Sequence, residues 1–322
     1  DCLIDWLRLC GASSCVWPRK SANLGTNSKM PLLSGNARAA GLMVLAMAAF
    51  TVNDTCMKAA TETMPLFQAI FLRGLLSSAG LCLIAAQAGA LRYRPGRADM
   101  RAIGWRTVGE VGGTVAFLLA LRQMPLANLS AIMQAMPLLV TLAAMLFLGE
   151  PVGWRRIAAI CAGLVGVLLI IRPGSEGFDE WSVVALISVA FVVLRDLATR
   201  RVSSALPSVT VALSASLSVM LMGAVVMPFE GWVRPGLTEA LLLIGAGAFL
   251  IAGYLVVVMA TRIGEIGAVA PFRYTALLFA LLLGWLIFGD WPDRMTSLGA
   301  VIVVASGLYA LARERRLRLR RD

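Results

Sequence analysis

The sequence contains no histidine and is poor in charges of either sign. Without histidine there is no Ser-His pair and no histidine-bound zinc, so a group that takes up or releases protons has to be a carboxylate. No GxSxG elbow and no GxxxxGK[ST] loop occurs. Hydrolase chemistry of the first kind and ATP binding of the second are therefore excluded. Cysteine is sparse and without pattern: Cys2, Cys10 and Cys15 precede the apolar part, Cys56, Cys82 and Cys161 stand singly in apolar runs, and CxxC is absent. Such spacing gives neither a disulfide framework nor a metal site, and no cofactor is expected.

Charged residues make up 15% of the 322 positions and hydrophobic ones 59%. Soluble domains hold roughly 25% and 45–50%. The excess is arranged in blocks of about twenty residues, long enough to cross ~30 Å of hydrocarbon as helices. Spans are predicted at 39–57, 66–86, 107–121, 128–148 and 157–171, then at 181–198, 209–227, 240–260, 268–288 and 297–312. Helix is the required conformation, because in lipid each span must satisfy its own backbone polar groups. Pro125, Pro173-Gly174, Pro235-Gly236 and Pro292 punctuate the connections.

Acidic residues number 18 against 29 basic ones. With the N-terminus inside, twenty-one of the basic residues fall on the cytoplasmic side and five (Lys58, Arg122, Arg172, Arg234, Arg294) on the outer side. That bias places both termini in the cytoplasm and explains the net charge of +11 with no nucleic-acid partner. Residues 1–29 are mixed and without helical period; Met30 is expected to be the natural start, and 1–29 a leader that is either dispensable or non-native.

The chain also repeats itself. A shift of 142 superimposes Asp54 on Asp196, Lys58 on Arg200 and Pro65 on Pro207. A shift of 140 superimposes Gly113 on Gly253, Arg122 on Arg262, Gly149 on Gly289 and Glu150 on Asp290. Five spans per half is an odd number, so the second half is inverted, a plan used by secondary transporters that bind substrate where the repeats meet. The fold class is therefore an all-α membrane protein of ten transmembrane helices in two inverted five-helix repeats. The first repeat is expected at 39–172 and the second at 181–312, with cytoplasmic segments at 1–38 and 313–322.

The Gly-acid pairs Gly149-Glu150 and Gly289-Asp290, each closing a fourth helix, are followed by Gly166 and by Gly299 and Gly307 in the fifth helices. Together with the stretch from Pro271-Phe272-Arg273-Tyr274 to Phe288-Gly289-Asp290, these make the chain resemble the EamA-type drug/metabolite transporter superfamily. The resemblance covers about 39–312. It implies a carrier in a bacterial inner membrane that moves amino acids, vitamins, nucleosides, drugs or similar metabolites, and no enzyme activity. The expected partners are a small-molecule substrate, membrane lipids and a second copy of the chain.

Charges inside spans are costly and point to function. Asn53-Asp54 and Arg73 lie at similar depth on adjacent antiparallel helices and are expected to form an Asp54–Arg73 ion pair, serving a proton, a cationic group or a substrate carboxylate, or simply packing. Arg273, flanked by Phe272 and Tyr274, suits an aromatic or carboxylate-bearing metabolite, or anchors the helix at the interface. Gln134 precedes Pro137, which is expected to kink its helix and expose carbonyls. Arg195-Asp196 reads as a pair near the cytoplasmic end that snorkels to the interface, Glu110 lies nearer an end, and Glu150 and Asp290 read as loop punctuation. The candidate site is thus Asn53, Asp54, Arg73, Gln134, Arg273 and Tyr274, in a secondary carrier with export as the preferred direction. A non-transporting scaffold or lipid-interacting protein is the alternative, though it has no need of charges within its spans.

Overall fold

The computed structural model describes residues 32–87, 89, 96–149, 153–173, 179–203, 208–264 and 269–318. The leader and its Met30 start lie outside them, as do Glu150 and the last residues of the basic tail. Among these described residues ten helices follow one another: α1 Leu32–Thr63, α2 Leu66–Gln87, α3 Arg97–Gln123, α4 Leu126–Leu148, α5 Trp154–Ile171, α6 Trp181–Thr199, α7 Ser208–Glu230, α8 Leu237–Ile263, α9 Ala270–Phe288 and α10 Arg294–Arg318. Several outrun the predicted spans, α1 and α10 by a turn or more, because a helix continues past the apolar block once its ends reach polar surroundings. Nine of the ten are long and apolar enough to cross a membrane. The exception, α3, carries Arg101, Arg106, Glu110 and Arg122, which dilute its hydropathy.

Polarity is distributed as lipid solvent requires. Leu83, Phe147, Val225 and Leu278 face outward, while Asn53, Gln68, Arg73, Glu110, Gln134 and Ser188 are buried inside. The large apolar core draws on all ten helices, α7 contributing Val219.

Helix pairing displays the inverted repeat. The most extensive packing is α1 on α8, α3 on α6, α2 on α7 and α5 on α10. Exchanging the halves turns the first pair into the second and maps the other two onto themselves, as a pseudo-two-fold axis in the membrane plane demands. Glycine permits the close crossings. A Cβ on Gly253 of α8 would lie 2.7 Å from the Phe50 ring of α1, and one on Gly112 of α3 would lie 2.7 Å from the Phe191 ring of α6. At the α5–α10 crossing a Cβ on Gly299 would sit 2.5 Å from the carbonyl oxygen of Gly166.

The fourth helices end alike, in left-handed caps at Gly149 (φ 67°) and Gly289 (φ 70°). A side chain at such a φ is strained, which accounts for glycine at both. Pro137 breaks α4, with the discontinuity at Gln134-Ala135, between Leu126–Met133 and Met136–Leu148. A proline removes its own N–H bond and clashes with the carbonyl four residues earlier, here Met133, so the break falls before it. In α9 the first five residues, Ala270–Tyr274, form a 3-10 turn after which the α-helix begins.

Candidate functional site

The helix pairs splay around a central cavity of about 380 Å³ whose polar lining includes Asn53, Asp54, Arg73, Glu110, Arg195, Tyr254 and Arg273. A second cavity, of about 220 Å³, reaches Gln134 and Tyr274. Both are walled by Phe50, Asp54, Phe117, Met133, Met136 and Arg273, so Asp54 and Arg273 look into each. All six residues singled out from the sequence thus lie on these walls.

The direct Asp54–Arg73 ion pair does not form. Asn53 stands between: its Nδ2 donates to Asp54 Oδ1 at 2.8 Å, and an Arg73 terminal nitrogen donates to Asn53 Oδ1 at 3.4 Å. Successive residues on a helix point about 100° apart. Buried Asn53 therefore meets α2, and Asp54 turns toward the cavity. Arg73 is 6% exposed and keeps its Nε without a hydrogen bond among the described residues.

Arg195 does not snorkel. A Cβ on Gly109 of α3 would lie 2.7 Å from the Arg195 backbone nitrogen, so its absence lets α6 approach closely at this level. The Arg195 guanidinium then turns inward, 3.7 Å from buried Glu110 and 2.9 Å from Asp196. Glu110 also lies 3.3 Å from Arg106, one turn back on α3. Tyr254 of α8 completes this cluster, within electrostatic range of Arg73, Glu110 and Arg195, with its ring edge-on to Phe50 at 5.4 Å. Glu110, Arg195 and Tyr254 are the titratable cavity residues left out of the site expected from the sequence. The first two are charges near predicted span ends, and Tyr254 is a polar aromatic within an apolar block; both are signals a stricter reading of each span would have kept.

Arg273 differs from the other cavity arginines, Arg73 and Arg195. Its side chain is exposed to the cavities, makes no hydrogen bond or ion pair among the described residues, and feels Asp196 and Arg195 only at a distance. Its neighbour Tyr274 is 6% exposed, with its hydroxyl pressed against Gly307 of α10, where any side chain would collide. Trp285 lines neither cavity; it is 53% exposed and meets Trp291 edge to face.

The face opposite the chain termini is sealed. Lys58, only 8% exposed, donates from Nζ to the Met124 carbonyl at 2.6 Å, lies 3.9 Å from Asp290, and sits over the Phe288 ring at 5.1 Å. One side chain thereby joins α1, the α3–α4 corner and the end of α9, and Asp290 does more than punctuate its loop. Gln68 donates to the Val233 carbonyl at 2.6 Å and accepts from the Val233 N–H at 3.0 Å. The Phe67 N–H donates to Glu230 at 2.9 Å, Thr63 donates to Glu239 at 3.1 Å, and Arg172 pairs with Asp293. Each of these bonds, Lys58–Asp290 included, links one half to the other, except the one from Lys58 to Met124, which lies within the first half.

This geometry has relatives. The chain is 28% identical over 280 residues to the pseudopaline exporter CntI of Pseudomonas aeruginosa, covering 85% of this chain and 96% of that one. It is 25% identical over 289 residues to an S-adenosylmethionine uptake transporter of Rickettsia bellii (86% and 94% covered). Over 183 residues it is 30% identical to a riboflavin transporter of Vibrio cholerae (55% and 59% covered). A crystal structure at 20% identity superimposes with a TM-score of 0.60, covering 87% of this chain and 99% of that one, and shares the fold. These named relatives are transporters, not enzymes. The EamA-like transporter family matches residues 37–172 and 180–311, nearly the whole ten-helix bundle, and the chain belongs to that family.

Proposed function

We propose that this transporter of small metabolites is a secondary carrier for a zwitterionic compound with a flat or apolar body, bound in the central cavity between halves 39–172 and 181–312. One observation carries the reading: both cavities share a carboxylate, Asp54, and a guanidinium with no partner of its own among the described residues, Arg273. Asp54 receives an ammonium or similar cation, and Arg273 receives a carboxylate, its planar fork suiting two-point recognition. Phe50, Phe117, Met133 and Met136 flank the body of the ligand with adaptable apolar surface. Gln134 serves as a hydrogen-bonding neighbour, Tyr274 lends the second cavity its ring, and Asn53 with Arg73 holds Asp54 in place.

The halves rock about the α2–α7 and α5–α10 crossings, and the Lys58 seal opens when the cytoplasmic side closes. Lys58, Asp290 and Met124 have repeat counterparts in Arg200, Glu150 and Gly264. Met124 and Gly264 end α3 and α8 alike, in extended conformation, each N–H bonded to the alanine carbonyl four residues back. The repeat therefore supplies a second seal on the cytoplasmic side. The arginine bias of the loops supports an inner-membrane location with cytoplasmic termini, and export, the direction named for one relative, is the preferred direction.

The test is untargeted metabolite profiling of cells and medium, with wild type, Arg273→Ala and Asp54→Asn each overexpressed to equal membrane levels. Redistribution of one zwitterionic metabolite by wild type, lost in both variants, is the expected result. Redistribution that survives both substitutions would remove the site, and none under several growth conditions would remove the carrier reading.

A further inference from the structure

On the side of α3 and α6 away from the cavity, a groove of about 880 Å³ opens between α3, α4 and α6 toward the lipid. Its walls are apolar, with Leu194 and Leu197 of α6 at the back and Trp105 and Phe147, 59% and 73% exposed, on its flanks. Its end at the face bearing the chain termini is basic. Arg101, in the second turn of α3, and Arg201, just past α6, both line it. Both are exposed, and neither side chain makes an ion pair or hydrogen bond among the described residues. The nearest acid on that turn, Asp99, already accepts from the Ser203 backbone N–H at 2.9 Å.

The repeat supplies an internal comparison. The positions matching Arg101, Trp105, Phe147 and Arg201 in the other half are Leu241, Gly245, Ile287 and Ala59. The pseudo-equivalent surface therefore has neither the charges nor the indole. Packing the helix pairs does not require two arginines here, since the α1–α8 pair does without them.

We infer that this groove is a binding site for an anionic phospholipid, the headgroup held between Arg101 and Arg201 and an acyl chain laid along Phe147, Leu194 and Leu197. Charge complementarity selects the occupant: basic pockets between spans on the cytoplasmic side meet a leaflet rich in anionic lipid. Trp105, one turn from Arg101, sits at the level where indoles favour the headgroup boundary. A lipid seated there braces α3 against α6, the pair that carries Glu110 and Arg195 on its inner face.

The test is native mass spectrometry of the purified full chain, titrated with phosphatidylglycerol or phosphatidylcholine of identical acyl chains. An arginine near the surface adds about fivefold to anionic-lipid affinity, so the pair predicts a preference of about thirtyfold for phosphatidylglycerol. Single Arg101→Gln and Arg201→Gln variants should each lose about fivefold, and the double variant should retain the two lipids within about threefold of each other. Arg38→Gln, an exposed arginine at the same face of α1, should leave the preference unchanged. Equal retention of both lipids by wild type overturns the assignment. So does a preference that survives the double variant, or one that falls equally with Arg38→Gln. Displacement of phosphatidylglycerol by millimolar inorganic phosphate would make the site one for a free anion, and would overturn it too. The wild-type and phosphate arms decide even where a variant folds poorly.

Discussion

Replacing Lys58 with methionine keeps an unbranched stem in the α1 packing while removing the charge that joins three elements at the sealed face. The charge-assisted bond from Nζ to the Met124 carbonyl, at 2.6 Å, is worth about 1.5–3 kcal/mol. The cation over Phe288, centred 5.1 Å away, adds about 0.5–2 kcal/mol. The Asp290 carboxylate, at 3.9 Å with its side chain 34% exposed, contributes well under about 1 kcal/mol after screening. The bond to Met124 lies within the first half and holds in either state, so only the Phe288 and Asp290 contacts, which cross to the second half, depend on the closed seal. Their loss shifts the closed-to-open balance by about 1–2 kcal/mol, or about 5- to 30-fold at ~1.4 kcal/mol per factor of ten. The assay is labelling of a cysteine placed at Ser130, on the second cavity just inside α4, in a background without the six native cysteines. A membrane-impermeant maleimide is applied from the sealed face, in vesicles of each orientation. While the open state is rare, labelling follows its population, so Lys58→Met should speed it by about fivefold or more from that face. A change under threefold, with thermal stability preserved, would show that Lys58 is a packing residue and refute the seal.

Other positions give independent outcomes. Gly299→Val forces a branched side chain onto the Gly166 carbonyl, where even a Cβ would lie 2.5 Å away; the α5–α10 crossing should lose about 2–3 kcal/mol or fail to assemble, read as a lower unfolding temperature in detergent. Gln68→Ala deletes both bonds to Val233, each worth about 1 kcal/mol, and should raise labelling at the cysteine replacing Ser130 by about tenfold or more. Arg273→Lys keeps the charge but not the two-point fork, so metabolite efflux should fall by about tenfold where Arg273→Ala abolishes it; equal activity of the lysine variant would reduce Arg273 to a diffuse charge.

The spans, their number and the inverted repeat were legible because lipid dictates them residue by residue: apolar blocks need no tertiary information, and matched Asp, Arg and Gly-acid positions survive a simple shift. Even α3 could be placed, since its stretch after Thr107 is apolar around Glu110. Which charges meet was not legible. Asp54 and Arg73 sit at matching depth, yet the rotation of one residue puts Asn53 between them. Arg195 was read as snorkelling because it lies four residues from the end of α6; a neighbouring glycine on α3, distant in sequence, draws it inward. Lys58 and Asp290 were each visible as repeat-matched positions, but their meeting depends on how the start of the chain packs against its far end. Pro137 was correctly tied to a break in α4, whose position follows from the clash with the carbonyl of Met133.

The central claim, a carrier that exchanges a small metabolite through the cavity between its halves, is met most directly by counterflow. Proteoliposomes holding the purified chain are loaded with concentrated unlabelled cell metabolites and diluted into a trace of uniformly 13C-labelled extract, and the lumen is followed by mass spectrometry. A carrier predicts that one labelled zwitterion transiently overshoots its outside concentration with wild type, and that no overshoot occurs with Arg273→Ala. Label that only equilibrates, at the rate seen in protein-free vesicles, would contradict the account.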